Sequence, residues 1–103
     1  MKRAIQRALA QQDIGNAFDY YLRVAGATTA NDFVLAIDAS MGNIERFPGS
    51  GSLRYAELLE VDGLRFSVVE RFPYLVFYLE RGDHVDVVRV LHQHRDVPAI
   101  LEG

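Results

Sequence analysis

Residues 74–79 read Tyr-Leu-Val-Phe-Tyr-Leu, six apolar or aromatic side chains with no polar break. The run is too short for a buried helix of ordinary length. Its aromatic and β-branched content favours a strand buried on both faces. Residues 64–69 (LRFSVV) and residues 85–91 (VDVVRVL) read as its neighbours on either side. Glu80-Arg81-Gly82-Asp83 is a turn, with Gly82 able to take positive φ. Arg71-Phe72-Pro73 breaks the first pair, because Pro73 has no N–H to donate and belongs at a strand's first residue or outside it. The expectation is a three-stranded antiparallel meander whose middle strand is the most apolar.

Two helical patterns precede the meander. From about residue 8 to residue 25, Ile14, Phe18, Tyr21, Leu22 and Ala25 form one apolar stripe, and Gly26 ends it. Gly15 inside that stretch offers a second reading, a later start with Asp13 as N-cap. Thr28 or Thr29 is a natural N-cap for the next helix, and Asp32 lies three residues after Thr29 as in an acidic capping box. Ala30, Phe33, Val34, Ile37, Met41 and Ile44 make its apolar face, with Asn31, Asp38 and Glu45 outward, and residues 47–51 (FPGSG) stop it. A link of about three residues predicts an antiparallel αα-hairpin. The fold class is therefore α+β: an N-terminal αα-hairpin packed across one face of a small antiparallel sheet. Residues 3–6 (RAIQ) allow a short N-terminal strand, residues 55–59 a turn of helix or a short strand, and residues 97–101 a terminal helix with Pro98 in its first turn and Asp96 as cap.

At 103 residues the chain predicts one domain spanning residues 1–103, with no repeat or linker. It has no cysteine, which excludes disulfides, cysteine-ligated zinc and cysteine nucleophiles. No stretch reaches the length of a membrane span and no apolar run follows Lys2-Arg3, so a cytoplasmic protein without membrane contact is expected. The net charge is −3, with no basic excess of the kind that holds nucleic acid through phosphates. All the basic residues but Lys2 are arginine, which favours planar, bidentate contacts to carboxylate or phosphate.

Polar groups concentrate where the last strand ends, in Arg89, His92, His94, Arg95 and Asp96. His92 and His94 alternate along the strand, so they share a face. A metal site would need a further ligand such as His84, and no metal or other cofactor is expected. A histidine of near-neutral pKa also suits proton transfer, so His92 or His94 is a candidate general base. By strict alternation Arg89 shares a face with Val85, Val87 and Leu91. An arginine amid valines must be paired or reach a rim. It either grips an anion or pairs with Glu70, Asp86 or Asp96. Pro48-Gly49-Ser50-Gly51 lacks the Lys-Ser/Thr of a phosphate-binding loop.

Four stretches in this order carry a family resemblance: residues 17–21 (AFDYY), 43–48 (NIERFP), 71–78 (RFPYLVFY) and 89–96 (RVLHQHRD). The chain resembles the RelE/ParE superfamily of type II toxin–antitoxin toxins, on its ParE-like, plasmid-stabilisation branch. The resemblance implies a compact α+β fold with a short first strand before the helical hairpin. It implies a toxin neutralised in a hetero-oligomer by a cognate antitoxin that wraps it. The ParE-like branch is associated with poisoning DNA gyrase, by binding rather than chemistry. Arg65, Arg71, Arg89, His92, Arg95 and Asp96 are the expected target-binding surface, and helix one, helix two and sheet aromatics the antitoxin groove. The RelE-like branch cuts mRNA on the ribosome. On that alternative His92 or His94 is the base, and Arg65 and Arg89 sit on phosphate. The sheet has no lysine and no tyrosine follows Tyr78, which favours the ParE-like branch. A third alternative is an inactive member that only binds its antitoxin.

Overall fold

The computed structural model describes residues 1–95 and 97–102. Asp96, expected both to cap the last helix and to join the target surface, lies outside the described residues. In chain order the elements are β1 (Arg3–Gln6), α1 (Ala8–Ala25), α2 (Ala27–Arg46), a 3-10 turn (Pro48–Ser50), α3 (Arg54–Leu59), β2 (Arg65–Val68), β3 (Tyr74–Glu80), β4 (His84–His92) and α4 (Val97–Glu102). The fold class is α+β, as the apolar patterning requires.

The sheet runs β1-β4-β3-β2. β2, β3 and β4 form the expected antiparallel meander. β1 forms too, and its parallel pairing with β4 makes the sheet mixed. Its outer edge is tied down: the Ala4 N–H donates to Glu45 Oε2 at 2.8 Å and the Lys2 N–H to the Glu45 carbonyl at 3.3 Å. Glu45, read as outward, is thereby a clamp on the edge strand.

β3 is buried on both faces, since Leu75, Val76, Phe77 and Tyr78 are all buried. Both faces are covered, where patterning predicted one. On one side the hairpin packs Phe33, Ile37 and Ile44 onto Val76, Tyr78 and Val87. On the other, α3 and α4 contribute Tyr55, Leu59, Val97 and Ile100 to a second core around Leu75, Phe77 and Leu91. Residues 55–59, left open between helix and strand, are thus helical.

The hairpin link is shorter than expected. Gly26 alone joins α1 to α2, with φ of +94°, a conformation costly for any residue with a Cβ. Its N–H donates to the Tyr21 carbonyl at 3.0 Å and its carbonyl accepts the Ala30 N–H at 3.1 Å. Gly26 therefore occupies the cap position that Thr28 or Thr29 was expected to hold, and both threonines fall inside the first turn. Helix α1 begins at Ala8 with Asp13 well inside it. Its inward stripe is Ala10, Ile14, Ala17 and Tyr21, while Leu22 and Ala25 are exposed. The two alanines are its buried members.

The β3–β4 pairing slips by one residue. Phe77 pairs with Arg89 but Tyr78 pairs with Val87, leaving Val88 as the extra residue of a β-bulge. Alternation therefore resets: Val85, Val87 and Val90 join the hairpin core, while Leu91 joins the other. Positive φ also falls elsewhere than Gly82: among described residues it occurs at Gly26, Gly63, Glu60 and Arg71. No helix among the described residues is long and apolar enough to cross a membrane.

Candidate functional site

The bulge decides the fate of Arg89. Its guanidinium leaves the sheet pattern and meets Asp13 of α1, with Nε to Oδ2 at 2.8 Å and Nη2 to Oδ1 at 2.9 Å. The same carboxylate accepts the Val90 N–H at 2.9 Å. Asp13 thus neutralises Arg89 and also satisfies a backbone donor of β4 beyond the end of β1. The bidentate bond to Asp13 holds the Arg89 guanidinium above its ordinary pKa, against the opposing effect of burial. Arg89 is paired, as burial demanded, but with none of the partners expected for it. Asp86 serves Arg7 and Arg81 instead.

His92 ends β4 opposite Tyr74 of β3. Its ring meets the Tyr74 ring edge-on, centroids 5.3 Å apart, and lies 5.3 Å from the His94 ring. β4 stops at His92, so His94 joins its neighbour through a turn rather than through strand alternation. The His94 backbone N–H donates to His92 Nδ1 at 3.1 Å. An imidazole that accepts at Nδ1 is neutral and carries its proton on Nε2. Burial lowers the His92 pKa further, and His94 and Arg95 add to the effect. His84 sits at the opposite end of β4, where Nδ1 is 2.7 Å from Asp83 Oδ1, so it does not approach the pair.

A shallow depression of about 110 Å³ gathers Asp13, Tyr20, Tyr74, Arg89, His92 and Arg95. Tyr20 and Asp13 come from α1, Tyr74 from β3, and the rest from β4 and the turn after it. Tyr74 has two roles: one side packs on Tyr21 and Phe33, with centroids 6.3 and 5.2 Å away, and the other borders His92. Burial raises its phenol pKa, so the hydroxyl stays protonated and can donate.

Of the expected surface residues, the structure brings together Arg89, His92 and Arg95. Arg71 lies in the β2–β3 turn, exposed and with φ of +68°. This turn is at the same end of the sheet, since the Gln93 N–H donates to the Pro73 carbonyl at 2.8 Å. Among the described residues neither Arg71 nor Arg95 has an acidic partner. Arg65 is elsewhere. It pairs with Tyr78, four residues along β3 from Tyr74 and so about 13 Å away. There its Nη1 donates to the Gly51 carbonyl at 2.7 Å. Next to it the Tyr78 hydroxyl donates to the Pro48 carbonyl at 2.8 Å and accepts the Gly51 N–H at 3.1 Å.

Sequence reasoning missed Asp13 and Tyr20 as members of this cluster. The available signal was an arginine amid valines that required an acid, and one aspartate beside the inward stripe of α1.

Comparison with known proteins adds a family. The model of the ParE toxin of the type II toxin–antitoxin system parDE matches residues 5–97. A solved structure described as the chromosomal ParDE TA system from P. aeruginosa has the same fold. Its TM-score is 0.75 at 21% sequence identity, over 89% of this chain and 96% of that chain. The comparison with curated proteins gives no match.

Proposed function

The chain belongs to the ParE family of type II toxin–antitoxin toxins, and from that premise we propose that it inhibits DNA gyrase by binding and is neutralised by a cognate antitoxin. The observation that carries the binding reading is the state of the polar cluster. The Arg89 charge is neutralised by Asp13, His92 spends its Nδ1 on a backbone N–H, and Arg65 stands about 13 Å away along the sheet. Neither arginine expected to hold phosphate is free to do so beside the histidines, since one is paired to Asp13 and the other bonds the Gly51 carbonyl. What the β4 end does present is a protonated tyrosine, a neutral imidazole with an Nε2–H, and two guanidiniums without an acidic partner among the described residues, Arg71 and Arg95. These suit hydrogen-bonded contact with carboxylates on a protein target. Arg71, His92 and Arg95 are the target-binding residues. Arg65 and Arg89 support the fold around them.

Pulse-labelling after induction of this chain alone tests the reading. Thymidine incorporation falls before methionine incorporation, and the purified protein blocks supercoiling by gyrase. Arg95→Glu weakens that block by roughly tenfold, the loss of one charge-assisted contact. Methionine incorporation falling first, with His92→Gln harmless to the fold but abolishing toxicity, replaces this reading with mRNA cleavage.

A further inference from the structure

On the sheet face covered by α3 and α4 the second core is not closed, and Arg89 borders this opening as well as the polar depression. Two adjoining depressions of about 360 and 230 Å³ share Arg7, Val88 and Leu101 in their linings. Together they form one groove between the start of α1 and the two short helices. Its floor is Val88, the residue that the bulge turns to this face. Leu79, Leu64 and Leu101 continue it, and Leu9 and Val61 stand exposed at its ends.

Charge at the rim narrows what can fill it. Arg7 and Arg81 share one carboxylate, Asp86, whose side chain is nearly buried. Arg7 Nε and Nη2 reach its two oxygens at 2.9 and 2.7 Å, and Arg81 Nη2 reaches Oδ2 at 3.2 Å. Among the described residues, two guanidiniums against one carboxylate leave a positive charge uncompensated. Both arginine side chains are about half exposed, at 50% and 48%. In each the Nη1 makes no hydrogen bond among the described residues. At Arg7, which lines both depressions, a half-exposed guanidinium thus adjoins the apolar floor.

We propose that this groove is a docking site for an extended segment of the neutralising antitoxin that places apolar side chains over Val88 and Leu101 and a carboxylate on Arg7. The inference rests on the antitoxin reading above and adds the surface and the chemistry of the segment. It moves the contact away from the outer faces of the hairpin to the opposite side of the sheet. An apolar peptide without an acid leaves the guanidiniums unanswered, and an acidic peptide without apolar residues leaves the floor wet.

The test measures binding of the full-length protein encoded by the reading frame adjoining this chain's gene. Wild type is compared with Val88→Glu, Val88→Lys, Arg7→Gln and Leu35→Lys, the last on the exposed outer side of α2. Thermal melts select variants that fold as wild type does. Val88→Glu weakens binding by roughly tenfold or more, as loss of an anchoring contact does. Val88→Lys weakens it less, because its charge attracts an acidic segment. Arg7→Gln weakens binding and lowers its dependence on salt, and Leu35→Lys leaves it unchanged. Equal losses for the two Val88 variants overturn the acidic part of the proposal. Folded Val88 variants that bind as wild type does overturn the groove itself and leave the antitoxin reading intact. Val88→Glu that keeps antitoxin binding but loses gyrase inhibition assigns the groove to the target and also overturns it. Absence of binding by wild type fails the antitoxin reading and the groove together.

Discussion

Removing the Asp13 carboxylate perturbs three bonds at once: two from Arg89 and one from the Val90 N–H. Stripping one partner from a fully buried ion pair costs about 3–5 kcal/mol. Here the side chains keep 20% and 13% of their exposure, so the freed guanidinium can turn toward the depression beside it. The low end of that range, about 3 kcal/mol, is therefore expected for Asp13→Ala, the lost partner of Val90 included. A domain of this size loses roughly 4–8 °C of melting temperature per kcal/mol, so Tm falls by about 12–24 °C. Asp13→Asn keeps an oxygen for the Val90 N–H and surrenders the charge, and falls between wild type and alanine.

The assay is thermal and urea denaturation followed by circular dichroism on Asp13→Ala, Arg89→Leu and the double variant Asp13→Ala/Arg89→Leu. Much of each single loss is the partner left unpaired, which the double variant does not have. The double variant is therefore more stable than the Asp13→Ala single variant. If Asp13→Ala melts within about 3 °C of wild type, or if the losses simply add, the pair is a surface contact and the reasoning fails.

Three further outcomes follow from the structure. A Cβ on Gly51 would run into the Tyr78 hydroxyl and meet Arg65 Cβ and the Phe66 carbonyl at 3.0 Å, so Gly51→Ala destabilises by roughly 1–3 kcal/mol in a urea melt. Gly15, in α1 with open space around it, responds oppositely, and Gly15→Ala stabilises by about 0.5–1 kcal/mol in the same melt. His92 titrates lower in the folded chain than in the unfolded one, so the unfolded state binds the extra proton and stability falls with acidification. The loss starts near pH ~6.5, the ordinary imidazole value, and continues down through the lowered one. His92→Gln flattens that limb of the stability-against-pH curve.

Much of this was legible because period and punctuation carry it. An unbroken apolar run on β3, arrays at helical spacing in α1 and α2, and Pro73 before the central strand each have one mechanical reading. What escaped depended on single residues. Gly26 does the work of a three-residue loop because positive φ reverses the chain in one step. Val88 is one extra residue, and one extra residue inverts face assignment beyond it, so strict alternation misplaced Arg89 and Leu91 relative to Val85 and Val87. The partner of Arg89 is 76 residues away, and no local pattern names it. Covering of the second face was hidden because α3 and α4 have six residues each, too few for a helical period to declare itself.

The bulge also bears on how the proposed inhibition and the proposed neutralisation relate. On its two sides β4 serves different surfaces: Val88 floors the apolar groove, and His92 stands with Arg95 at the strand's end. Four residues of extended chain separate them, about 13 Å. A segment confined to the groove leaves Arg71, His92 and Arg95 open to solvent, so groove occupancy alone does not mask them. α4 spans the gap physically. Its Val97 N–H donates to the Arg95 carbonyl at 2.8 Å, the Arg95 N–H donates to the His92 carbonyl at 3.0 Å, and Leu101 lines the groove. A partner that neutralises from the groove must therefore either extend roughly four residues further along β4 or act through that short helix. The two routes separate in a truncation series of the partner. Loss of neutralisation with binding retained marks the first, and neutralisation that survives as long as groove binding does marks the second.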